Sequence, residues 1–135
     1  MATQLNPSVI PQVALDFMNE DHGEAVELVN QLLTAIESDS STKVSELLKA
    51  FFEHNQEHFA REEEQMIRVN FPPYSCHKGE HERVLEEMKT VISEWEASED
   101  RSALQNYLTD TVANWLVNHI STMDTVTAMF VRQHS

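Results

Sequence analysis

Seven side chains stand out by type and spacing: a lone His22, then His58-x3-Glu62, His77-x3-His81 and His119-x4-Asp124. Each falls on the apolar stripe of an amphipathic helix. Five imidazoles and two carboxylates in such places are costly to bury without partners, and a pair of metal ions would partner them all. Neutral imidazole suits iron, zinc, copper and nickel, whereas hard ions are held almost wholly by oxygen donors. Calcium and magnesium are therefore disfavoured. Seven donors exceed what one tetrahedral zinc takes, and two carboxylates that each bridge through both oxygens point to ions held side by side. A pair of irons is the simplest fit. The Glu-x-x-His step of ferritin-like di-iron proteins does not recur here.

These donors need rigid elements to bring them together. Glycine occurs twice, and the four prolines are Pro7, Pro11, Pro72 and Pro73, so long stretches lack helix breakers. Apolar residues then recur at helical period in four segments. Met18, Ala25, Val26, Val29, Leu32, Leu33 and Ile36 form the first stripe, and Val44, Leu47, Leu48, Phe51, Phe59, Met66 and Val69 the second. Val84, Leu85, Met88, Val91, Ile92 and Trp95 form the third; Leu104, Leu108, Val112, Trp115, Leu116 and Met123 form the fourth. Short connectors at Ser38 to Thr42, Asn70 to Ser75 and Ala97 to Ser102 force antiparallel neighbours. The expected fold is all-α, an up-down-up-down four-helix bundle over about residues 17–131, with an extended N-terminal arm over about residues 1–16.

In that topology the beginnings and ends of helices alternate. His22 lies early in the first helix, His58 and Glu62 late in the second, His77 and His81 at the start of the third, and His119 late in the fourth. All four clusters thus land at one end of the bundle. A step of four residues turns about 40° and rises about 6 Å, so each pair with that spacing stacks on one face. The step of five from His119 to Asp124 turns about 140° on a regular helix, so a π-type irregularity is expected near Ile120 to Met123.

Composition narrows the function classes. A chain of 135 residues fits one domain with a real core, 1–135. Lys+Arg 9 against Asp+Glu 23 gives a net charge of −14, which repels phosphate backbones and anionic lipid, so nucleic acid and membrane partners are not expected. The single Cys76 excludes an internal disulfide framework. No membrane span or secretory signal is evident, and a soluble, cytoplasmic protein is expected. No protein partner is indicated.

The blocks His58-Phe59-Ala60-Arg61-Glu62-Glu63, His77-Lys78-Gly79-Glu80-His81-Glu82 and Trp115-Leu116-Val117-Asn118-His119-Ile120 with Asp124 resemble, in order, the signatures of the hemerythrins, in particular single-domain bacterial hemerythrins. Asn19-Glu20-Asp21-His22 is similar to that family's first-helix histidine, and the resemblance covers roughly residues 16–131. Myohemerythrin is itself an up-down-up-down bundle, so the agreement in topology is shared with the resemblance and is not a separate observation. The resemblance implies a non-heme di-iron centre: one iron held by His77, His81 and His119, the other by His22 and His58. Glu62 and Asp124 would bridge both, beside a solvent-derived oxo or hydroxo group. The second iron is then one ligand short, and dioxygen would bind there. Phe59, Trp115 and Leu116 match apolar oxygen-pocket positions.

Some positions depart from the family pattern. Thr125, Val126 and Thr127 follow Asp124 where an aromatic is frequent, which predicts a more open or more polar pocket. Phe71-Pro72-Pro73 replaces a Tyr-Pro connector. His54, one turn before His58, reads first as a packed or surface histidine and second as a tuning group for the site. Cys76 reads as a helix-start residue, Glu63 and Glu64 as a solvated face, and His134 as tail. The leading expectation is reversible dioxygen binding without turnover, for storage, delivery or sensing. A di-iron oxidoreductase acting on peroxide or nitric oxide is the alternative, followed by an iron-holding or interaction module. The absence of a base, nucleophile or substrate pocket beyond the cage favours binding over catalysis.

Overall fold

The computed structural model describes residues 4–38 and 40–135. Residues 1–3 of the arm, and Asp39 in the first connector, lie outside the described residues. Four helices run α1 Asp16–Glu37, α2 Ser41–Arg68, α3 Tyr74–Ser98 and a long α4 over 101–133. The connectors are shorter than the sequence predicts, because helix continues through Ser41, Tyr74, Ser98 and Arg101. Two N-termini are closed by side chains: Ser40 accepts the Lys43 amide at 3.2 Å and Asp100 the Ala103 amide at 3.0 Å. Asn70 and Glu99 take left-handed φ of 53° and 50° just past α2 and α3, reversing the chain within a few residues.

The antiparallel order is fixed by contacts between ends. Arg101 at the start of α4 donates to the Ile36 and Ser38 carbonyls at 2.7 and 2.8 Å, capping the end of α1. Trp95 near the end of α3 donates to Ser45 near the start of α2 at 2.9 Å. The predicted stripes meet in one core, with Val29, Leu32, Leu33, Val44 and Leu108 fully buried. Leu47, Leu85, Val91, Ile92 and Trp115 are partly buried at its edge, whereas Val69 and Met123 are half-buried outside it, and Ile120 holds a core position in the fourth helix.

The arm is extended apart from a single 3-10 turn, Pro7–Val9, and it lies against α1. Asn30 clamps the Leu5 amide and carbonyl at 2.7 and 3.0 Å, and Asn19 does the same to Val13 at 2.8 and 3.0 Å. Two asparagines thus satisfy backbone groups that an extended arm leaves open, and Ile10 adds to the core.

The long fourth helix carries two π turns, Tyr107–Val112 and Ile120–Asp124. Leu104, Leu108, Val112, Leu116, Ile120, Asp124 and Ala128 are all buried, one every fourth residue. On a regular helix each such step drifts about 40°, so that row would wind out to solvent. Each π turn inserts one residue and resets the face by about 100°, which keeps the whole row inward. The second turn is the irregularity expected from the His119 to Asp124 spacing. The first was not anticipated. No helix among the described residues is long and apolar enough to cross a membrane.

Candidate metal centre

All seven predicted donors lie at one end of the bundle, and all are buried. They fall into two clusters that share both carboxylates: Glu62, His77, His81, His119 and Asp124, and His22, His58, Glu62 and Asp124. Glu62 Oε1 faces His81 Nε2 at 3.2 Å and His77 Nε2 at 3.6 Å, while its Oε2 faces His58 Nε2 at 2.8 Å and His22 Nε2 at 3.8 Å. Asp124 repeats the division: Oδ1 lies 3.1 Å from both His77 and His119 Nε2, and Oδ2 lies 3.0 Å from His22 Nε2. Each carboxylate therefore presents one oxygen to a three-histidine group and the other to a two-histidine group. The π turn at Ile120–Asp124 makes this possible by returning Asp124 to the face that carries His119.

Both oxygens of Glu62, Oδ1 of Asp124 and Nε2 of His81 are buried with no hydrogen-bond partner. Unpaired buried polar atoms are expensive, and these all point at one another. The Nε2 atoms of His77 and His119 are 3.1 Å apart. Two imidazoles bound to one ion at about 2.0–2.1 Å and near a right angle stand about 3 Å apart, so the spacing is that of neighbouring ligands. The donor set and its orphaned atoms fit a pair of first-row metal ions.

Three of the five outward nitrogens are held from behind, while Nδ1 of His22 and of His119 is buried without a partner among the described residues. His58 Nδ1 donates to Asp21 Oδ2 at 2.8 Å and His81 Nδ1 to Glu63 Oε2 at 2.9 Å. His77 Nδ1 pairs with the Thr127 hydroxyl at 2.8 Å. An ionised carboxylate can only accept, so in the neutral rings of His58 and His81 the proton sits on Nδ1 and the inward Nε2 offers its lone pair to a metal. Rings are also fixed by stacking: Phe59 on His81 at 3.9 Å between centroids, Trp115 on His119 at 4.3 Å.

Residues 13–131 match the family described as the hemerythrin HHE cation binding domain. The chain belongs to the hemerythrin family. It is 27% identical to the bacteriohemerythrin of Aquifex aeolicus over 124 residues, covering 92% of this chain and 95% of that one. To the bacteriohemerythrin of Ralstonia nicotianae it is 31% identical over 102 residues, 76% of this chain and 73% of the relative. A crystal structure of wild-type hemerythrin superposes with a TM-score of 0.81 at 20% identity, over 97% of this chain and 98% of the other, which shows the shared bundle. The buried cluster accordingly fits the non-heme di-iron site of a hemerythrin domain.

A cavity of about 10 Å³ touches the cluster, lined by His22, His58, Phe59, Trp115, Leu116 and His119 among others. Phe59 and Leu116, which line it, are buried and Trp115 is half-buried. Thr125, Val126 and Thr127 do not line this cavity; Thr127 is buried and engaged with His77.

Without metal the cluster is a proton store. Burial opposes charge on His58, but Glu62 and Asp21 outweigh it and push the imidazole up to about 10. Burial likewise opposes charge on His22, and its bonds to Asp124 and Glu62 raise it. Burial would raise Glu62 and Asp124; the surrounding imidazoles hold both well below the usual carboxylate range. On His22 and His58 protons compete for nitrogens that metal would take, so loading must release them.

Sequence reasoning missed three supports. Asp21 was visible only as the neighbour of His22. Glu63 was expected to be a solvated face, but α3 brings His81 onto it. Thr127 follows Asp124 by three residues, a spacing that places it on the ligand face. His54 is half-buried and its Nε2 meets the Asp21 carbonyl at 3.0 Å, away from the ligand atoms. Cys76 is exposed in the first turn of α3, as expected of a helix-start residue.

Proposed function

We propose that the chain acts as one hemerythrin-like domain that binds dioxygen reversibly at two irons bridged by an oxo or hydroxo group. His77, His81 and His119 would hold one iron, His22 and His58 the other, with Glu62 and Asp124 shared. Iron would supply reversible electron donation to dioxygen. Everything else is the task of the chain. The observation that carries this reading is asymmetry: three imidazoles crowd one side, and the small cavity is lined by both His22 and His58 but by only His119 of those three.

That cavity has room for about one water molecule, which suits a ligand of one or two heavy atoms and no larger substrate. Phe59, Trp115 and Leu116 wall it with apolar surface, keeping bulk water off the ions and slowing irreversible oxidation. Two carboxylates and one hydroxide cancel three of the four charges of two divalent ions, so the dry pocket holds little net charge.

The test is an optical spectrum of the reduced, iron-loaded protein before and after air. Reversible oxygenation predicts a visible charge-transfer band that appears with air and vanishes on evacuation. Immediate conversion to the ferric form, with peroxide or nitric oxide consumed in turnover, would replace this reading with an oxidoreductase. A spectrum indifferent to air would leave iron a structural part only.

A further inference from the structure

A second cavity of about 60 Å³ lies between α2, α3 and α4, farther from the ligand cluster. Its walls include Phe51, Val84, Met88, Val112 and Leu116, and it shares Asn55, Trp115 and Leu116 with the small cavity beside His22 and His58. The two spaces are therefore separated by little more than those three side chains. Asn55 is buried, and its amide donates only to the Met88 thioether at 3.6 Å, a weak acceptor that leaves the side chain loosely held.

The outer end of this cavity is lined by Arg83, Glu87, Tyr107 and Thr111. Arg83 and Glu87 meet at 3.6 Å across an exposed ion pair, and such pairs are weak enough to open on thermal motion. The first π turn supplies Tyr107, Thr111 and Val112, so the unanticipated irregularity of α4 shapes this space. A largely apolar cavity of this size is a poor place for water, which needs two to four polar partners, and a good one for a small apolar molecule.

We infer that this cavity is a docking chamber for an apolar gas, and that gas passes from it between Asn55, Trp115 and Leu116 to the cavity beside His22 and His58. The identity of the gas as dioxygen rests on the proposed function; the chamber itself does not. Charged solutes meet Arg83 and Glu87 at the mouth and an apolar wall behind them, so the route favours uncharged diatomic molecules over anions.

The test uses the metal-free protein, so it does not depend on iron chemistry. Xenon-pressurised crystals are expected to show xenon against Val84, Met88 and Val112; no xenon there overturns the chamber. Quenching of Trp115 fluorescence by dissolved oxygen, in a Trp95→Phe background, then reads passage. Val112→Phe, which fills the chamber, is expected to cut the quenching rate several-fold. If that variant does not fold, Thr111→Phe at the exposed mouth takes its place, with the same expected loss. Unchanged quenching in the folded variant overturns the route. Failure of reversible oxygenation in the iron-loaded protein would overturn the proposed function and leave these two readouts standing.

Discussion

Asp21 and His58 are joined at 2.8 Å, Nδ1 of the ring donating to an oxygen that also accepts Arg61 Nε at 3.0 Å. Arg61 and His58 are three residues apart on α2, so one face of α2 grips one carboxylate of α1. Burial would raise the Asp21 carboxyl, but His58 and Arg61 hold it below its ordinary value. An ionised Asp21 keeps the His58 ring in the orientation that presents Nε2 to the metal site. Asp21→Ala is therefore expected to weaken metal binding by about 10–100-fold with the bundle intact, because orienting partners of ligands have effects of that size. Competitive chelator titration with far-ultraviolet circular dichroism measures both; unchanged affinity would remove Asp21 from the site.

The two clusters share carboxylates, so loss of one ligand should reach across the bridge. His77→Ala is expected to lower bound iron from two towards one or none, since Glu62 and Asp124 both face His77 Nε2. His54→Ala removes a ring bonded to a backbone carbonyl and should leave the stoichiometry intact. Elemental analysis of the two purified variants decides; full retention in His77→Ala contradicts the assigned ligand set.

The bundle and its ligand layer were legible because helical period and alternation of helix ends are local properties of the chain. His22, His58, His77 and His119 needed only helix order to be placed at one end. What was not legible depends on interhelical azimuth: Glu63 turns to His81, and Asp21 turns to His58, only once α1, α2 and α3 are packed. The π turn at Tyr107–Val112 did leave a trace. Leu104, Leu108, Val112 and Leu116 repeat at four residues without the alternating step of three that a 3.6-residue turn demands.

Metal-free stability should depend on pH in a defined direction. His58 is pushed up to about 10 and His22 is raised, from an ordinary value of about 6.5, so the folded form holds these protons more tightly than the unfolded one. Their contribution is complete below about pH 6.5 and is lost as pH rises through about 10. Asp21, Glu62 and Asp124 are lowered, so theirs is present above the ordinary carboxylate range and lost as pH falls through their depressed values. Stability of the metal-free protein should peak in mildly acid solution and decline towards pH 10. In the iron-loaded protein the imidazoles are neutral ligands, and the alkaline decline should disappear. Urea denaturation at a series of pH values tests this; a flat profile for the metal-free form refutes it.

The second π turn is closed by Thr125, whose hydroxyl donates to the Ile120 carbonyl at 2.7 Å while its amide reaches the same carbonyl. These two hydrogen bonds to a single oxygen five residues back hold the extra residue in place and so keep Asp124 beside His119. Thr125→Val keeps the shape and removes the hydroxyl. It should cost about 1 kcal/mol of stability, the usual net worth of one such hydrogen bond, and speed iron release. Thr122→Val removes an exposed hydroxyl that bonds the Asn118 carbonyl at 2.7 Å, an ordinary step of four, and serves as the control. Chemical denaturation and chelator-driven release kinetics compare the two variants. Equal release rates would mean that the π turn is held by packing of Ile120 and Ala128 in the buried row, and that the Thr125 hydroxyl adds nothing to the site.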